Sequence, residues 1–373
     1  MKENLNIHLF YPHIPIAARD AARAVLDTRW IGQGPKVDEF EEMWTEKFAK
    51  PCKSVAVGSG TDALHLAYIL AGVDQGDEVV TPIFTCTATN TPILYQKAIP
   101  VFADIRKDSL NIDPEDVLRK VNSRTKAIVC VDYGGLPADL DELQEIADNW
   151  HIPLIEDAAQ AHGAKYKGEF VGSITDFTCF SFQAIKIIAA PDSGMLTVKN
   201  TDHEIIANRL RWFGLDRKAK QESLLKGIWE GDIWELGWKY QMTDIAAAMG
   251  IEALKEIDAT LLHHRQLFNA YQEGLQGIPG ISFIGDDDLH QSSCWLATAF
   301  VENRNRLQAK LAENGIESDP VHYRNDRYSI FGGRVEDCPN MDALENKYLV
   351  LPKHFNLTVE DVSRICKVIR SGW

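Results

Sequence analysis

Short apolar runs alternate with amphipathic segments through the first half of the chain. Seven runs rich in β-branched and aromatic residues lie between residues 54 and 198, and each has the length of a strand. Several are apolar on both faces, as strands covered by helices on both sides of a sheet must be. We expect strands at SVAV (54–57), EVVT (78–81), PVFAD (100–104), KAIVCVDY (126–133), PLIED (153–157), FTCFSF (177–182) and GMLTV (194–198).

The segments between these runs predict helices. DALHLAYILAG (62–72), PEDVLRKV (114–121) and DLDELQEIADNW (139–150) have helical periodicity. Asp113 stands directly before Pro114, the arrangement of an N-cap followed by proline in the first turn, and Asp139 is expected to cap the next helix in the same way. Alternating strands and helices predict an α/β fold with a mostly parallel, seven-stranded sheet flanked by helices.

The pattern changes after Thr243. DIAAAMGIEALKEIDATLLHHRQLFNAYQEGL (244–275) predicts one long amphipathic helix, and shorter strand-like and helical runs follow it. The 373 residues suit two or three domains. We expect a large α/β domain with an N-terminal arm at residues 1–245 and a small C-terminal α+β domain at residues 246–373.

Composition and charge narrow the classes of function. Hydrophobic residues make up 45% and charged residues 25%, which is typical of a globular protein. The net charge of −15 argues against nucleic acid or an anionic membrane as a partner, whereas a small anionic substrate needs only a few local cations. The seven cysteines include no CxxC pair. MKENLNIHLFYPHIP lacks the apolar centre of a signal peptide, so we expect a cytoplasmic protein.

The first candidate site is the segment VGSGTDALHLA. A strand leads into Gly58 and a helix begins near Asp62, so the free N–H groups at the helix start predict a phosphate site. A strand–helix turn that uses glycine for its geometry is the alternative. The spacing also fits a dinucleotide fingerprint, but that motif needs an acid at the end of the next strand. Here Asp77 and Glu78 begin that strand, so we discount a nicotinamide cofactor.

Two further segments carry candidate chemistry. Glu156 and Asp157 end a buried strand. An acid at this place could hold a ribose, bind a metal with His162 or pair with a protonated ring nitrogen. The structural alternative is that it only caps the turn after the strand. Lys186 lies among isoleucines, and desolvation there would lower its pKa as an imine-forming lysine requires; a buried ion pair is the alternative. A phosphate-binding helix start, a carboxylate and a lysine 29 residues later together match the needs of pyridoxal 5′-phosphate (PLP).

The order and spacing of these segments resemble a known family. GSGTDAL, EVVTPIFTCTATN, PVFADI, IEDAAQAHGA, SFQAIK and LGWKYQMTDIAAAMGI are similar to the motifs of the DegT-type nucleotide-sugar aminotransferases, a branch of the fold-type-I PLP-dependent enzymes. The resemblance covers most of the chain. It implies a homodimer with two active sites shared between the subunits, and a cofactor that becomes pyridoxamine 5′-phosphate during turnover.

The resemblance also assigns residues. Lys186 would form the imine with the cofactor and move the proton, Asp157 would pair with the pyridine nitrogen, and Gln160 would contact the ring hydroxyl. The cofactor phosphate would be bound by Gly60, Thr61 and Ser181, with Gln183 lining the same pocket. In the family, the partner subunit reaches the cofactor phosphate from a position in the segment that corresponds to GWKYQM, commonly with an asparagine. This chain has Lys239 at that position.

The chain departs from the family pattern in two places. The family often stacks an aromatic residue on the cofactor ring where this chain has Cys86, and Phe84 could share that face. The loop after the lysine usually reads Thr-Thr-Gly-acid-Gly-Gly, whereas residues 189–194 are AAPDSG. Candidates for lining the substrate entrance, each of which could equally be a surface or interface residue, are Phe84, Arg211, Trp212, Arg217, His322, Tyr323 and Arg324.

The resemblance implies amination of a nucleotide-linked keto-sugar, with L-glutamate as the amino donor. The reaction would pass through an internal aldimine on Lys186. The product class would be the amino sugars of polysaccharides or antibiotics. A second hypothesis is a sugar dehydratase of the same family, but that branch replaces the lysine with histidine, and Lys186 argues against it. A catalytically weak regulatory or binding homologue stays open because of the altered 189–194 loop.

Overall fold

The computed structural model describes residues 7–225, 227 and 231–373, so the first six residues of the predicted N-terminal arm lie outside it. Its helices are α1 (Ile16–Leu26), α2 (Pro35–Trp44), α3 (Gly60–Leu70), α4 (Thr87–Tyr95), α5 (Pro114–Lys120), α6 (Leu140–Trp150), α7 (Thr201–Leu210), α8 (Arg217–Leu225), α9 (Asp244–Lys255), α10 (Ile257–Leu275), α11 (Arg304–Glu313), α12 (Pro339–Leu344) and α13 (Val359–Arg370). Its strands are β1 (Lys53–Val57), β2 (Glu78–Pro82), β3 (Phe84–Thr85), β4 (Ile99–Ala103), β5 (Thr125–Val131), β6 (Leu154–Asp157), β7 (Lys165–Tyr166), β8 (Glu169–Phe170), β9 (Phe177–Ser181), β10 (Gly194–Val198), β11 (Ile281–Phe283), β12 (His290–Gln291), β13 (Ala297–Val301), β14 (Tyr323–Arg324) and β15 (Tyr348–Leu351).

The seven predicted strands form one sheet in the order β1-β10-β9-β6-β5-β2-β4. Strands β9, β6, β5, β2 and β4 pair in parallel, and β10 runs antiparallel to both β9 and β1, so β1 points the same way as the other five. This confirms the mostly parallel, seven-stranded sheet. The carboxyl ends of six strands therefore meet at one edge, together with the start of the reversed strand β10.

Helices cover both faces of the sheet, and two apolar clusters fill the space between them. In the larger cluster, the Trp44 ring packs edge-on against Phe48, Phe180 and Phe182, with ring centroids 4.8–5.0 Å apart. Such a cluster of large rings buries much apolar area. It fixes α2 against the strand that leads into the Lys186 loop.

The two predicted caps have different outcomes. The Asp113 carboxylate accepts a hydrogen bond from the backbone N–H of Glu115 (3.0 Å), so it caps α5 as expected. Asp139 makes no capping bond at the start of α6, and that prediction was wrong. Its carboxylate instead lies 3.2 Å from both Arg106 and His290, because two cationic partners outside the helix are within reach.

The long helix predicted over 244–275 is broken at Glu256 into α9 and α10. The two halves serve different cores. Helix α9 packs against α1 and α2, whereas most buried residues of α10 belong to a third apolar cluster with α13, β13 and β15. One straight helix could not turn an apolar face to both cores, and this accounts for the break.

The Asp244 carboxylate ties α9 to the start of α2. It accepts hydrogen bonds from the backbone N–H groups of Gly34 (2.6 Å), Lys36 (3.2 Å) and Val37 (3.2 Å). These are donors that a helix start leaves without partners in its own helix. A side chain more than 200 residues away in sequence therefore caps α2.

Strands β11, β13 and β15 form a separate three-stranded sheet, against which α10, α11 and α13 pack. The division into domains at residues 1–245 and 246–373 stays our prediction. In the part of the chain that the structure describes, no helix combines the length and the apolar character needed to cross a membrane.

Candidate active site

The candidate residues gather at the edge where the parallel strands end. Asp157 closes β6, Ser181 closes β9, and the segment after β1 leads directly into α3. Ligands bind at this edge in open α/β sheets. Because β10 runs the other way, its first residue, Gly194, lies at the same edge, and the loop that contains Lys186 spans the gap between β9 and β10.

The start of α3 forms a cradle of closely packed backbone. Ser59 is the N-cap, and its Oγ accepts a hydrogen bond from the N–H of Asp62 (3.0 Å). A Cβ added to Gly60 would lie 2.7 Å from the Cβ of Ser181. One added to Gly194 would lie 2.5 Å from the backbone of Ser59. Three chain segments thus meet where only glycine fits.

This cradle has the properties of an anion site. The first N–H groups of a helix have no acceptor within the helix, and the helix dipole favours negative charge there. The side chain of Ser59 satisfies only the N–H of Asp62. Gly60, Thr61 and Ser181 are brought together at this point, as the phosphate assignment requires.

Asp157 is a buried carboxylate with two donors. The hydroxyl of Thr89 donates to its Oδ2 (2.7 Å), and the N–H of Ala159 donates to its Oδ1 (3.1 Å). Burial raises the pKa of Asp157, and hydrogen bonds and the nearby Lys186 lower it in part. A protonated ring nitrogen would supply the counter-charge that the buried site favours. The role of Thr89 was missed in the sequence, where only its place in TCTATN could have suggested it.

Lys186 lies in the loop after β9, with its Nζ 3.9 Å from the centre of the Trp295 ring. Although the residue as a whole is only partly buried, desolvation of its amine lowers the pKa of Lys186 to about 8, while Cys86 and Asp157 act in the opposite direction. About a tenth of the amine is therefore uncharged at pH 7, far more than at the ordinary pKa of lysine. Sequence reasoning missed Trp295, because nothing in CWLATAFV marks it as a site residue.

Gln160 joins the site to His322 of the C-terminal part. The N–H of Gly134 donates to Oε1 of Gln160 (2.8 Å), and its Nε2 lies 3.3 Å from Nε2 of His322. Burial, assisted by the charge of Lys186, lowers the pKa of His322 to about 3, so the imidazole is neutral. Gln183 lies in the same loop as Lys186, where its Oε1 accepts from the N–H of Ile185 (3.2 Å).

Two of the three arginine candidates, Arg211 and Arg324, have carboxylate partners within the chain. Arg324 is fully buried and forms two 2.6 Å hydrogen bonds to Asp326, and it also pairs with Asp342. Arg211 pairs with Glu41 and donates to the carbonyl of Ala56 (2.6 Å). These contacts place both guanidinium groups in structural ion pairs in this chain.

The aromatic candidates also have structural contacts. Phe84 is 1% exposed and packs against Tyr133 and Tyr348, with ring centroids 5.0 and 4.9 Å apart. Tyr323 pairs with Thr85 through the backbone and lies under Arg327. Cys86 keeps partial exposure beside Lys186. Phe84 does not share an open face with Cys86.

Lys239 lies over an aromatic surface of its own chain. Its Nζ is 3.9 Å from the centre of the Trp212 ring and 5.5 Å from that of Phe213, and Lys239 pairs with Trp212 through the backbone. Arg217 approaches the same Trp212 ring, at 5.8 Å. These contacts hold the lysine in place. Among the described residues, no carboxylate pairs with it to neutralise its charge.

The altered 189–194 loop is closed by its own hydrogen bonds. The N–H of Ala190 donates to the carbonyl of Phe182 (2.8 Å), and the N–H of Phe182 donates to that of Ser193 (2.7 Å). The hydroxyl of Ser193 donates to the carbonyl of Ala190 (2.8 Å). The loop therefore reaches the cradle at Gly194 without the usual glycines.

The metal alternative at Glu156 and Asp157 depends on further ligands nearby. In residues 7–225, 227 and 231–373, no group of three or more histidine, cysteine or acidic side chains is placed to hold a metal ion. His162 instead accepts the N–H of Ile188 at Nδ1 (3.2 Å) and lies edge-on to Trp44.

Comparisons with known proteins match the chain to one enzyme family. Residues 14–370 match the DegT/DnrJ/EryC1/StrS aminotransferase family. The chain is 33% identical to the spore coat polysaccharide biosynthesis protein SpsC of Bacillus subtilis, over 97% of this chain and 96% of that protein. It is 29% identical to the GDP-perosamine synthase of Escherichia coli O157:H7, over 97% of both chains.

Solved structures are similar over nearly their whole length. AtS13 from Actinomadura melliaura matches with a TM-score of 0.92 and 33% identity, over 99% of both chains. The sugar aminotransferase CalS13 from Micromonospora echinospora matches with a TM-score of 0.92 and 28% identity, over 98% of this chain and all of that one. Spr1654 from Streptococcus pneumoniae, also 28% identical over 98% of both chains, is solved in PLP and pyridoxamine phosphate forms, with TM-scores of 0.91 and 0.92.

The cradle yields a stability prediction. Gly194→Ala would place a methyl group against the backbone of Ser59, which cannot rotate away. We expect the free energy of unfolding to fall by about 1–3 kcal/mol, the usual cost of overpacking, as measured by urea titration. Gly32→Ala is the matched control, because a Cβ there meets no atom within 4 Å. Equal stability of the two variants would contradict the close packing of α3 against β10.

Proposed function

The chain belongs to the DegT/DnrJ/EryC1/StrS aminotransferase family of PLP-dependent sugar aminotransferases, and we propose that it transfers an amino group from L-glutamate to a nucleotide-linked keto-sugar. The observation that carries the proposal is the meeting of Lys186, Asp157 and the α3 cradle at one edge of the sheet. The relatives support the substrate class, since two of them are GDP-perosamine synthases, from Escherichia coli and Vibrio cholerae.

The residues fit the cofactor by charge and by hydrogen-bonding groups. The backbone N–H groups at the start of α3 would bind the phosphate, at the point where Gly60 and Gly194 let three chain segments approach closely. Asp157 is the buried carboxylate that would face the pyridine nitrogen, and Gln160 would contact the ring hydroxyl. The bound cofactor would supply an electron sink for the carbon from which a proton is removed.

Lys186 has the properties of the residue that bonds to the cofactor and then moves the proton. Its amine is desolvated, with a pKa of about 8, so it can act as a nucleophile and as a base near neutral pH. In the first half-reaction Nζ would take the proton from the α-carbon of the donor amino acid. In the second half-reaction the same Nζ would deliver a proton to the sugar carbon that receives the amine. Its presence favours an aminotransferase over the dehydratase alternative.

We also propose a homodimer in which Lys239 reaches the phosphate of the partner's cofactor. Several apolar side chains in the segment that precedes Lys239 in sequence stand exposed in the single chain, and exposed apolar surface marks interfaces where it is contiguous. They include Phe213, Leu224, Leu225, Ile233, Trp234 and Leu236, of which Leu225 is 90% and Trp234 71% exposed. A second subunit would cover these residues and supply the cation.

The lysine assignment is tested by trapping. Purified protein incubated with PLP and reduced with borohydride should carry the cofactor covalently on Lys186, as shown by peptide mapping. Lys186→Ala should lose amination of keto-sugar nucleotides by at least about 10³-fold while keeping its thermal stability, because the lost group is a nucleophile and base rather than a packing element. An adduct on another lysine would contradict the assignment.

The role of Asp157 is tested by an isosteric change. Asp157→Asn keeps acceptor and shape but removes the charge that would hold the ring nitrogen protonated. We expect PLP to stay bound, while turnover with glutamate falls by about 10²–10³-fold, as for loss of one strong electrostatic contact. Thr89→Val is the control, because it removes one hydrogen bond to Asp157 and leaves its charge. A normal rate in Asp157→Asn would make the residue structural.

The shared site is tested by mixing subunits. At a PLP concentration that leaves Lys239→Ala inactive, mixing it with Lys186→Ala should recover about a quarter of wild-type activity, because half of the dimers are hybrid and each hybrid has one complete site. Verified subunit exchange without recovery would show that Lys239 does not serve the partner's site.

A further inference from the structure

Trp295 holds Lys186 through two contacts. The ring centre lies 3.9 Å from Nζ of Lys186, and the indole Nε1 donates a hydrogen bond to the carbonyl of the neighbouring residue Ile185 (2.9 Å). Trp295 is 2% exposed and stacks with Phe10 at 5.8 Å. One side chain thus contacts both the reactive amine and the backbone that carries it.

The segment that presents Trp295 is fixed on both sides. The N–H of Ser293 donates to the carbonyl of Gly135 (2.9 Å), and the Ser293 hydroxyl donates to the carbonyl of Gln160 (3.0 Å). Cys294 has a left-handed backbone, with φ of 53°, and its carbonyl accepts from the buried amine of Lys353. A non-glycine residue in this conformation persists only where its surroundings hold it. The indole position is therefore set by the fold.

The contact of Lys186 with the Trp295 ring differs in kind from its contacts with the other groups around it. Asp157 and Cys86 favour the ammonium form, whereas burial disfavours it. The two neighbouring imidazoles, His162 and His322, are neutral, because burial lowers the pKa of each to about 3. Neither imidazole therefore repels the ammonium form of Lys186. The indole of Trp295 presents a large π surface 3.9 Å from Nζ.

We propose that Trp295 is a positioning residue, whose ring receives the ammonium form of Lys186 whenever the lysine is not bonded to the cofactor. The proposal rests on the assignment of Lys186 above. A freed lysine must keep its proton close to the reacting carbons in a site that excludes water. A π face stabilises an ammonium group enough to hold it, but less than a buried carboxylate contact that would trap it.

The ring has two opposing effects on the amine, and they can be separated. By excluding water it lowers the pKa of Lys186, and by its π face it raises that pKa. Trp295→Leu keeps most of the first effect and removes the second. Trp295→Phe keeps a π face of lower strength and loses the hydrogen bond to Ile185. Phe10→Leu is the matched control, because it loosens the packing of Trp295 without changing the surface that faces Lys186.

The experiment titrates Lys186 directly. Full-length protein carrying pyridoxamine 5′-phosphate, in which the lysine is free, is labelled with trace acetic anhydride from pH 6 to 10, and the Lys186 peptide is quantified by mass spectrometry. We expect the midpoint to fall by about 0.5–1 pH unit in Trp295→Leu, by less in Trp295→Phe, and not at all in Phe10→Leu. The rate of borohydride-trappable PLP attachment should shift along the pH axis in the same order.

Two results would overturn the proposal. An unchanged midpoint in Trp295→Leu would show that the indole only packs against Lys186. A higher midpoint would show that the indole acts only by excluding water from the amine. If Trp295→Leu does not fold, as judged by circular dichroism, the Phe variant decides by the same criterion. The same titration without cofactor tests the contact between Trp295 and Lys186 even if another lysine binds PLP. Failure of the Trp295 proposal and failure of the Lys186 assignment can therefore be distinguished.

Discussion

The site depends on one close approach of backbone. Gly60 at the start of α3, Ser181 at the end of β9 and Gly194 at the start of β10 pack so tightly that no Cβ fits at either glycine. This contact exists because β10 runs against the sheet and returns the chain to the edge where the other strands end. The Lys186 loop is thereby held between two fixed points beside the anion cradle.

Desolvation controls the charges inside the site. Burial pushes the pKa of Lys186 down and that of Asp157 up, because it penalises the charged form of each group. Each also opposes that effect in the other, since their charges are opposite. A protein with a net charge of −15 can therefore present a local arrangement suited to an anionic phosphate and a protonated ring. His322, neutral and beside Gln160, adds a hydrogen-bonding group without adding charge.

The departures from the family pattern have structural counterparts. The AAPDSG loop replaces lost glycines with hydrogen bonds among Phe182, Ala190 and Ser193, so it still delivers Gly194 to the cradle. Cys86 leaves the site without an aromatic side chain at its own position, and Phe84 does not replace it, because its ring packs against Tyr133 and Tyr348. An aromatic surface reaches the lysine from another part of the chain, at Trp295.

The sequence by itself determined the sheet and the main chemical groups. Apolar runs of strand length, glycines at the start of α3, and an acid and a lysine at strand ends are local features, and local patterns predict local structure. Tertiary structure decided the rest. The break at Glu256 reflects two separate cores, Arg324 and Arg211 pair with acids within the chain, and Trp295 reaches Lys186 across 109 positions of sequence. Such contacts depend on which elements pack together, and no periodicity within one segment encodes that.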